Sequence, residues 1–224
     1  MPAAAPILPP PLHEGERLTR DEFMRRWEAM PHLKHAELLD GIVHRPSRVS
    51  LRHGSLHLRV GGWLLHYADA TPGCQASVDS TCVMGPDDVP QPDLSLWTGG
   101  GDRSRIEKGY LAGAPELVVE IAWSSSARDL GIKSDLYRRH GVREYLVVLA
   151  QENDVLWREV VKGRYRKIAP DVDCIIHSSA FPGLNLDTAA LWSEDWPRLR
   201  ASLEAGLARP GHAAFVRRLR AVKK

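Results

Sequence analysis

A glutamate lies inside the apolar run Leu117–Ala122, and this run constrains the fold more than any other part of the sequence. A second apolar run, Tyr145 to Leu149, follows after a segment of helical character. Two such runs with a helix between them are typical of buried strands joined by a crossover. An ionised, unpaired carboxylate in a buried strand costs roughly several kcal/mol. Glu120 is therefore expected to bind a cation, to pair with another group or to hold a proton.

The segment between the two runs is predicted to be a short helix with a lysine on its inner face. Ser126 to Asp129 fits a capping box with its serine as N-cap, and Gly141 suits the C′ position. At about 100° per residue, Lys133 and Asp129 both fall within the arc of the apolar side chains. Two interpretations remain open. The two residues form an exposed i, i+4 pair worth about 0.2–0.5 kcal/mol, or Lys133 points inwards and reaches Glu120.

Length and composition indicate an ordinary globular protein with one main domain and two extensions. The 224 residues are 43% hydrophobic and 26% charged, with a formal net charge of +2. This charge predicts no strong field, so contact with nucleic acid would depend on local patches. Residues 1–14 are rich in proline and alanine and are predicted to be a disordered arm. Residues 15–190 are predicted to form the main domain. Residues 191–224 are predicted to be a helical extension that is broken by Pro197 and Pro210. The basic end of that extension could touch phosphates or simply suit the helix dipole.

Targeting and cofactor signals are absent from the sequence. The three cysteines are widely separated, which suggests neither a disulfide framework nor a zinc site and fits a reducing cytoplasm. No apolar stretch is long enough to cross a membrane, and the N-terminus lacks the features of a signal peptide. The glycines at 99–101 match no phosphate-loop spacing. We therefore expect a cytoplasmic protein with no membrane contact and no nucleotide cofactor.

The N-terminal half predicts a helix, a hairpin and a second helix. A capping box at Thr19 opens a helix through Trp27, and Asp40-Gly41 between apolar residues is a hairpin signal. Glu37 precedes that turn, and its residue type favours a position facing solvent. Residues 50–70 read as an amphipathic helix, in which His53 and His57 lie one turn apart. That spacing could hold a metal, but no third ligand is arranged with them in the sequence, which favours histidines at the surface or at the edge of the core.

The remaining segments predict further strands. Residues 75–84 and 91–97 read as strands, separated by a turn, and a polar loop runs from Gly99 to about Lys108. Residues 154–168 read as a hairpin turning at Lys162-Gly163, and 174–177 as one more strand. Asp93 opens the strand at 91–97, where an aspartate often serves only as a turn residue.

Asp93, Glu120 and Lys133 together provide the groups that metal-assisted phosphodiester cleavage requires. Two carboxylates can hold a hard divalent cation, usually Mg²⁺, through oxygen ligands. The bound cation polarises the phosphate and lowers the pKa of a water, and a lysine orients or activates that water or steadies the developing charge. Strand periodicity places Glu120 and the small Ala122 on one face, which leaves space for a lysine from the following helix.

Several short motifs also follow one another in a recognisable order. They are Pro92-Asp93, Val119-Glu120-Ile121, Asp129 to Lys133, Gly141 to Val148, and upstream Glu37 to Gly41 with His53. In order and spacing they resemble the bacterial Uma-type restriction endonuclease family of the PD-(D/E)XK nuclease superfamily, from about Leu18 to Leu186. One departure is Ala122, which stands where the superfamily usually has its lysine. The resemblance implies that Lys133 replaces it from the next helix.

The resemblance implies an α/β (α+β mixed) fold, in which a restriction-endonuclease-like mixed sheet is flanked by helices and preceded by a helix and a hairpin. It implies an endonuclease that hydrolyses DNA with Mg²⁺ or Mn²⁺, and two-fold cutting of a duplex would suit a homodimer. Two other functions remain open: an inactive nuclease-like module that binds nucleic acid or protein, and a hydrolase of other phosphoesters. The site residues it implies are the metal ligands Asp93 and Glu120, the catalytic Lys133, and the auxiliary Glu37, His53 and Asp129.

Overall fold

The chain folds around a six-stranded mixed sheet with helices on both faces. The computed structural model describes residues 9–45, 49–99, 103–123 and 126–222. The helices are α1 Arg20–Glu28, α2 Leu51–Ala70, α3 Ser126–Arg128, a π-helical turn Asp129–Lys133, α4 Ser134–Arg139, α5 Thr188–Trp192, α6 Trp196–Leu207 and α7 Pro210–Val222. The strands are β1 Glu37–Leu39, β2 Ile42–His44, β3 Cys74–Val78, β4 Cys82–Val83, β5 Leu94–Thr98, β6 Ser104–Glu107, β7 Tyr110–Gly113, β8 Leu117–Ala122, β9 Glu144–Leu149, β10 Asp154–Val161, β11 Arg164–Lys167, β12 Ile175–His177 and β13 Asn185–Asp187.

The two central strands are the apolar runs that the sequence singles out. The sheet order is β11-β10-β9-β8-β5-β3, in which β8 and β9 are parallel and every other neighbouring pair is antiparallel. All six residues of β8 are buried. The chain passes from β8 to β9 through α3, the π turn and α4, so the predicted crossover and the predicted mixed sheet flanked by helices are confirmed.

The two faces of β8 pack against different helices. Leu117, Val119 and Ile121 belong to a core shared with α2 and the C-terminal helices. Val118 and Ala122 pack on the other face with residues of α4. Because side chains alternate along a strand, Glu120 lies on the α4 side. The π turn and α4 therefore meet the face that carries the glutamate.

Three of the predicted turns and caps are confirmed. The Thr19 hydroxyl accepts a hydrogen bond from the backbone N–H of Glu22, as an N-cap does. The hairpin between β1 and β2 turns at Asp40-Gly41, whose φ angles of 52° and 74° suit a two-residue turn. The β10–β11 hairpin turns in the same way at Lys162-Gly163.

Several predicted boundaries are wrong. Residues 75–84 do not form one strand, because the chain turns at Asp79, which has a φ of 48°, and β4 joins a separate sheet with β7. The predicted loop up to Lys108 contains β6, whose outward side chains hide its strand character. The predicted interruptions of the C-terminal extension are confirmed, since α5 ends at Trp192 and α6 begins at Trp196, with Pro197 in its first turn, and α7 begins at Pro210. The side chain of Ser126, on which the predicted capping box depends, and residues 100–102 lie outside the described residues.

Both extensions pack against the folded body where the structure describes them. Leu12 is only 1% exposed and packs in a cluster with Phe23, so the predicted disorder of residues 1–14 is wrong at this position; residues 1–8 lie outside the described residues. Leu203 and Phe215 of the C-terminal helices belong to the main core. None of the helices described here is both long and apolar enough to cross a membrane.

Candidate active site

Asp93 and Glu120 lie close to each other where strands β5 and β8 meet. The two strands are antiparallel and their pairing ends with Leu94 opposite Val119, so Asp93 lies one residue before β5 and Glu120 one residue beyond the last pair. The backbone N–H of Ile121 donates to Asp93 Oδ2 at 2.6 Å. This hydrogen bond holds the Asp93 carboxylate beside the strand that carries Glu120. The structure thus brings the two predicted metal ligands together.

Glu120 is buried and accepts two hydrogen bonds on one oxygen. Its residue is 3% exposed, and Oε1 accepts from Lys133 Nζ at 3.0 Å and from the Tyr137 hydroxyl at 2.7 Å. The pKa of Tyr137 is raised well above its ordinary value, mainly by burial and next by the charge of Glu120. This hydroxyl therefore keeps its proton. Lys133 points inwards and reaches Glu120, and the interpretation of an exposed Asp129–Lys133 pair is wrong.

Lys133 also contacts two further carboxylates. Its Nζ lies 2.9 Å from Glu37 Oε1 and 3.9 Å from Asp129 Oδ1. The side chain of Glu37 is only 10% exposed, so its expected solvent-facing position is wrong. The backbone N–H of Gln91 donates to the same Glu37 oxygen at 2.9 Å. One ammonium group therefore forms ion pairs with three carboxylates. Glu37 comes from the β1–β2 hairpin, Glu120 from the central strand β8 and Asp129 from the crossover between β8 and β9.

The π-helical turn explains why Asp129 and Lys133 are both buried. A regular α-helix was expected here, but residues Asp129–Lys133 form a wider turn between α3 and α4. The Tyr145 hydroxyl donates to the Asp129 carbonyl at 2.9 Å, which ties this turn to β9. Isolated π turns are frequent at functional sites. In this protein the turn places Lys133 directly over the β8 glutamate.

The charges of this pocket shift each other's titration. Burial raises the pKa of Glu120 well above its ordinary value; Lys133 opposes this shift, and Asp93, Asp129 and Glu37 add to it. Burial alone would lower the pKa of Lys133, but the carboxylates around it outweigh burial and hold that pKa above its ordinary value. The lysine is therefore a cation.

Four carboxylates around a single ammonium fit a hard divalent cation. Mg²⁺ and Mn²⁺ favour oxygen ligands, and Asp93 lies close enough to Glu120 for its charge to raise the pKa of Glu120. A divalent ion would add positive charge beside Glu120 and favour its ionised form. These carboxylates are oxygen donors of the kind that Mg²⁺ and Mn²⁺ bind.

The histidines of α2 also come to this end of the sheet. The Nε2 atom of His53 lies 3.8 Å from Asp93 Oδ1, which places this predicted auxiliary residue beside a predicted metal ligand. The ligand atoms of His53, His57 and Asp93 lie within 4.8 Å of one another. Both rings are half-buried, as expected of histidines at the edge of the core, and Asp93 is a third potential ligand that no sequence motif places beside them. Local spacing could not reveal it, because Asp93 is 36 residues further along the chain than His57.

Comparison with known proteins gives the family. Residues 20–189 match the Uma2 model, described as "Putative restriction endonuclease". The chain belongs to this family. All six site residues that were predicted from the sequence lie within the matched segment. They are Glu37, His53, Asp93, Glu120, Asp129 and Lys133.

A solved structure has a similar fold. It is the crystal structure of a protein from Anabaena variabilis described as a "putative nuclease belonging to DUF820". The TM-score is 0.64 at 18% sequence identity, and the match covers 80% of this chain and 98% of the other. At this identity the likeness shows that the two chains share a fold. No curated protein matches the chain.

Proposed function

We propose that this member of the Uma2 family is a metal-dependent endonuclease that hydrolyses phosphodiester bonds in DNA. One observation carries the proposal. Glu120, buried in the central strand, lies close to Asp93, which binds the neighbouring Ile121 N–H, and has the Lys133 ammonium 3.0 Å from its Oε1. Family membership supports nuclease chemistry, and the clustered carboxylates support a divalent cation.

Each group at this site has a role that follows from its position. Asp93 and Glu120 would hold Mg²⁺ or Mn²⁺, which when bound polarises a phosphate oxygen and makes a water molecule more acidic. Lys133 adds a fixed positive charge that stabilises negative charge developing on the phosphate. Glu37 and Asp129 hold the lysine in place, and both are buried with it.

The substrate and the assembly are part of the proposal. The net charge of +2 gives weak overall attraction to a polyanion, so DNA would be held through local basic patches and the bound cation. A homodimer would present two such sites to the two strands of a duplex. Cleavage of both strands at one position would support that assembly.

A second function has one observation in its favour. Asp93 Oδ2 already accepts from the Ile121 N–H, and Glu120 Oε1 already accepts from Lys133 and Tyr137. A site in which the protein already binds one oxygen of each carboxylate would also suit a nuclease-like module that binds nucleic acid or protein without cleaving it. Metal binding without turnover would favour this alternative.

Plasmid cleavage in the presence of Mg²⁺ or Mn²⁺ tests the proposal. The wild-type chain should nick or cut supercoiled DNA, and Asp93→Asn or Glu120→Gln should abolish cleavage. Asp135→Asn is the matched control, because Asp135 lies on α4 near Lys133 but has a side chain that is 74% exposed. Equal cleavage by wild type and Asp93→Asn would contradict the proposal. RNA and simple phosphoesters are assayed in parallel, and cleavage of one of them but not of DNA would identify a different substrate class.

A further inference from the structure

Three side chains at the edge of the candidate active site form a second cluster of potential ligands, with a different chemistry. His53 and His57 lie one turn apart near the start of α2, and Asp93 immediately precedes β5. Their ligand atoms lie within 4.8 Å of one another. The α2 helix packs on the sheet face opposite Lys133, so this cluster approaches Asp93 from the other side.

A hydrogen bond orients the His57 ring for metal binding. Its Nε2 lies 2.8 Å from the carbonyl oxygen of Asp93. A carbonyl can only accept, so the ring carries its proton on Nε2 and keeps a lone pair on Nδ1. Histidines that bind metals usually donate their other N–H to a carbonyl or carboxylate in this way, which fixes the tautomer and the ring direction.

The spacing of the three ligand atoms is close to that of the ligands of one ion. Histidine nitrogens and carboxylate oxygens lie about 2.0–2.2 Å from Zn²⁺, so two ligands of one ion are at most about 4.2 Å apart. His53 Nε2 and Asp93 Oδ1 are 3.8 Å apart, within this limit. All three ligand atoms lie within 4.8 Å of one another, so binding one ion requires at most a small rotation of a side chain. Their side chains are 17% and 20% exposed, so an ion can enter from solvent and retain an open position.

We propose that His53, His57 and Asp93 form a site for a borderline transition-metal ion such as Zn²⁺ or Co²⁺. Two imidazoles and one carboxylate favour such ions over Mg²⁺, which prefers oxygen ligands. The site is distinct from the carboxylate pair, although Asp93 belongs to both sets. This site includes His57, which is not part of the predicted nuclease site. The proposal of a transition-metal site does not depend on whether the chain cleaves DNA.

Cobalt binding to the full chain, followed by the visible absorption of Co²⁺ and by calorimetry, tests this site. One Co²⁺ per chain should bind with the spectrum of a nitrogen-ligated ion, and Zn²⁺ should displace it. His57→Ala and His53→Ala should each weaken binding by at least ~10–100-fold, the loss that removing even an outer partner of a metal ligand causes. His66→Ala is the matched control on the same helix, because His66 lies nearer its C-terminal end and pairs with the exposed Glu204, at 4.0 Å.

The outcomes separate this site from the proposed nuclease. No binding by the wild type, or equal binding by wild type and His57→Ala, overturns the proposal. If His57→Ala fails to fold in a thermal melt, His57→Gln removes the imidazole with a smaller change in volume and should weaken binding to the same extent. Binding is measured without DNA. Cobalt held through His57 in a chain that cleaves nothing would therefore contradict the proposed function alone.

Discussion

The Tyr137 hydroxyl lies 2.7 Å from Glu120 Oε1, the oxygen that Lys133 also contacts. Tyr137 is fully buried on α4, so its hydroxyl has lost its contact with water and depends on this carboxylate. The Tyr137 hydroxyl is thus an uncharged hydrogen-bond donor to Glu120, and this hydrogen bond fixes the direction of the Glu120 side chain. A phenylalanine at this position would keep the ring packing and remove only the donor.

We therefore expect Tyr137→Phe to lower the free energy of unfolding by about 1–3 kcal/mol, the usual range for a hydrogen bond to a charged group. Cleavage should also fall, because Glu120 would be held less firmly. Urea unfolding and plasmid cleavage measure the two effects. Tyr110→Phe, at a partly exposed position in β7, is the control. An unchanged unfolding curve for Tyr137→Phe would show that the contact contributes nothing.

Lys133→Met should destabilise the protein strongly. Removing one partner of a buried ion pair typically costs about 3–5 kcal/mol, and here it would leave Glu120, Glu37 and Asp129 without their cation. Adding Glu120→Gln to Lys133→Met should recover part of that loss, because one of the uncompensated charges is removed. Chemical unfolding of the wild type, both single variants and the double variant gives the coupling free energy. Simple additivity of the two changes would contradict the description of this pocket.

The sequence was sufficient to predict the pocket but not all of its members. An acid in an apolar strand needs a partner, and helical periodicity placed Lys133 within the apolar arc of the next helix but left an exposed Asp129–Lys133 pair as the alternative. Periodicity could not predict the π turn, because a turn of that kind depends on tertiary contacts such as Tyr145 with the Asp129 carbonyl. Residue type alone favoured a solvent-facing Glu37, and only the family resemblance placed it at the site, because the lysine that it contacts comes from a distant part of the chain.

The weaker sequence predictions failed for related reasons. Strand β6 is mostly exposed and polar, so neither alternation nor hydrophobicity marks it. The contact of His57 with Asp93 depends on where α2 meets the start of β5, a long-range contact that local spacing cannot show. Leu12 lies in a Pro-rich segment whose composition suggests disorder, but one large apolar side chain is enough to fix it against Phe23.

Asp88 connects the hairpin that carries Glu37 to α4. It accepts from the Asp40 backbone N–H at 2.8 Å and from His140 Nε2 at 2.7 Å. Burial alone would raise the pKa of Asp88, but the hydrogen bonds from His140 and Asp40 outweigh it and lower that pKa below its ordinary value. The unfolded chain therefore binds this proton more readily than the folded chain. The resulting stability is present above about pH 4 and is lost as the pH falls through the lower, folded-state pKa.

Asp88→Asn should reduce the free energy of unfolding near neutral pH by about 1–3 kcal/mol, and the difference from wild type should shrink in acid, where the wild-type carboxyl is protonated as well. Urea unfolding at about pH 7 and about pH 3 measures both differences. The exposed Asp135→Asn is the control and should change little at either pH. A difference for Asp88→Asn that grows in acid would show that the sign of this coupling is wrong.

The position of a bound divalent ion tests the account most directly. A crystal of the chain soaked in Mn²⁺ and measured at a wavelength where manganese scatters anomalously would locate that ion. We predict an anomalous peak bound by carboxylate oxygens of both Asp93 and Glu120, next to the Lys133 ammonium. A soaked crystal in which neither carboxylate binds manganese, or in which the ion binds only elsewhere, would contradict the proposed metal-dependent nuclease site.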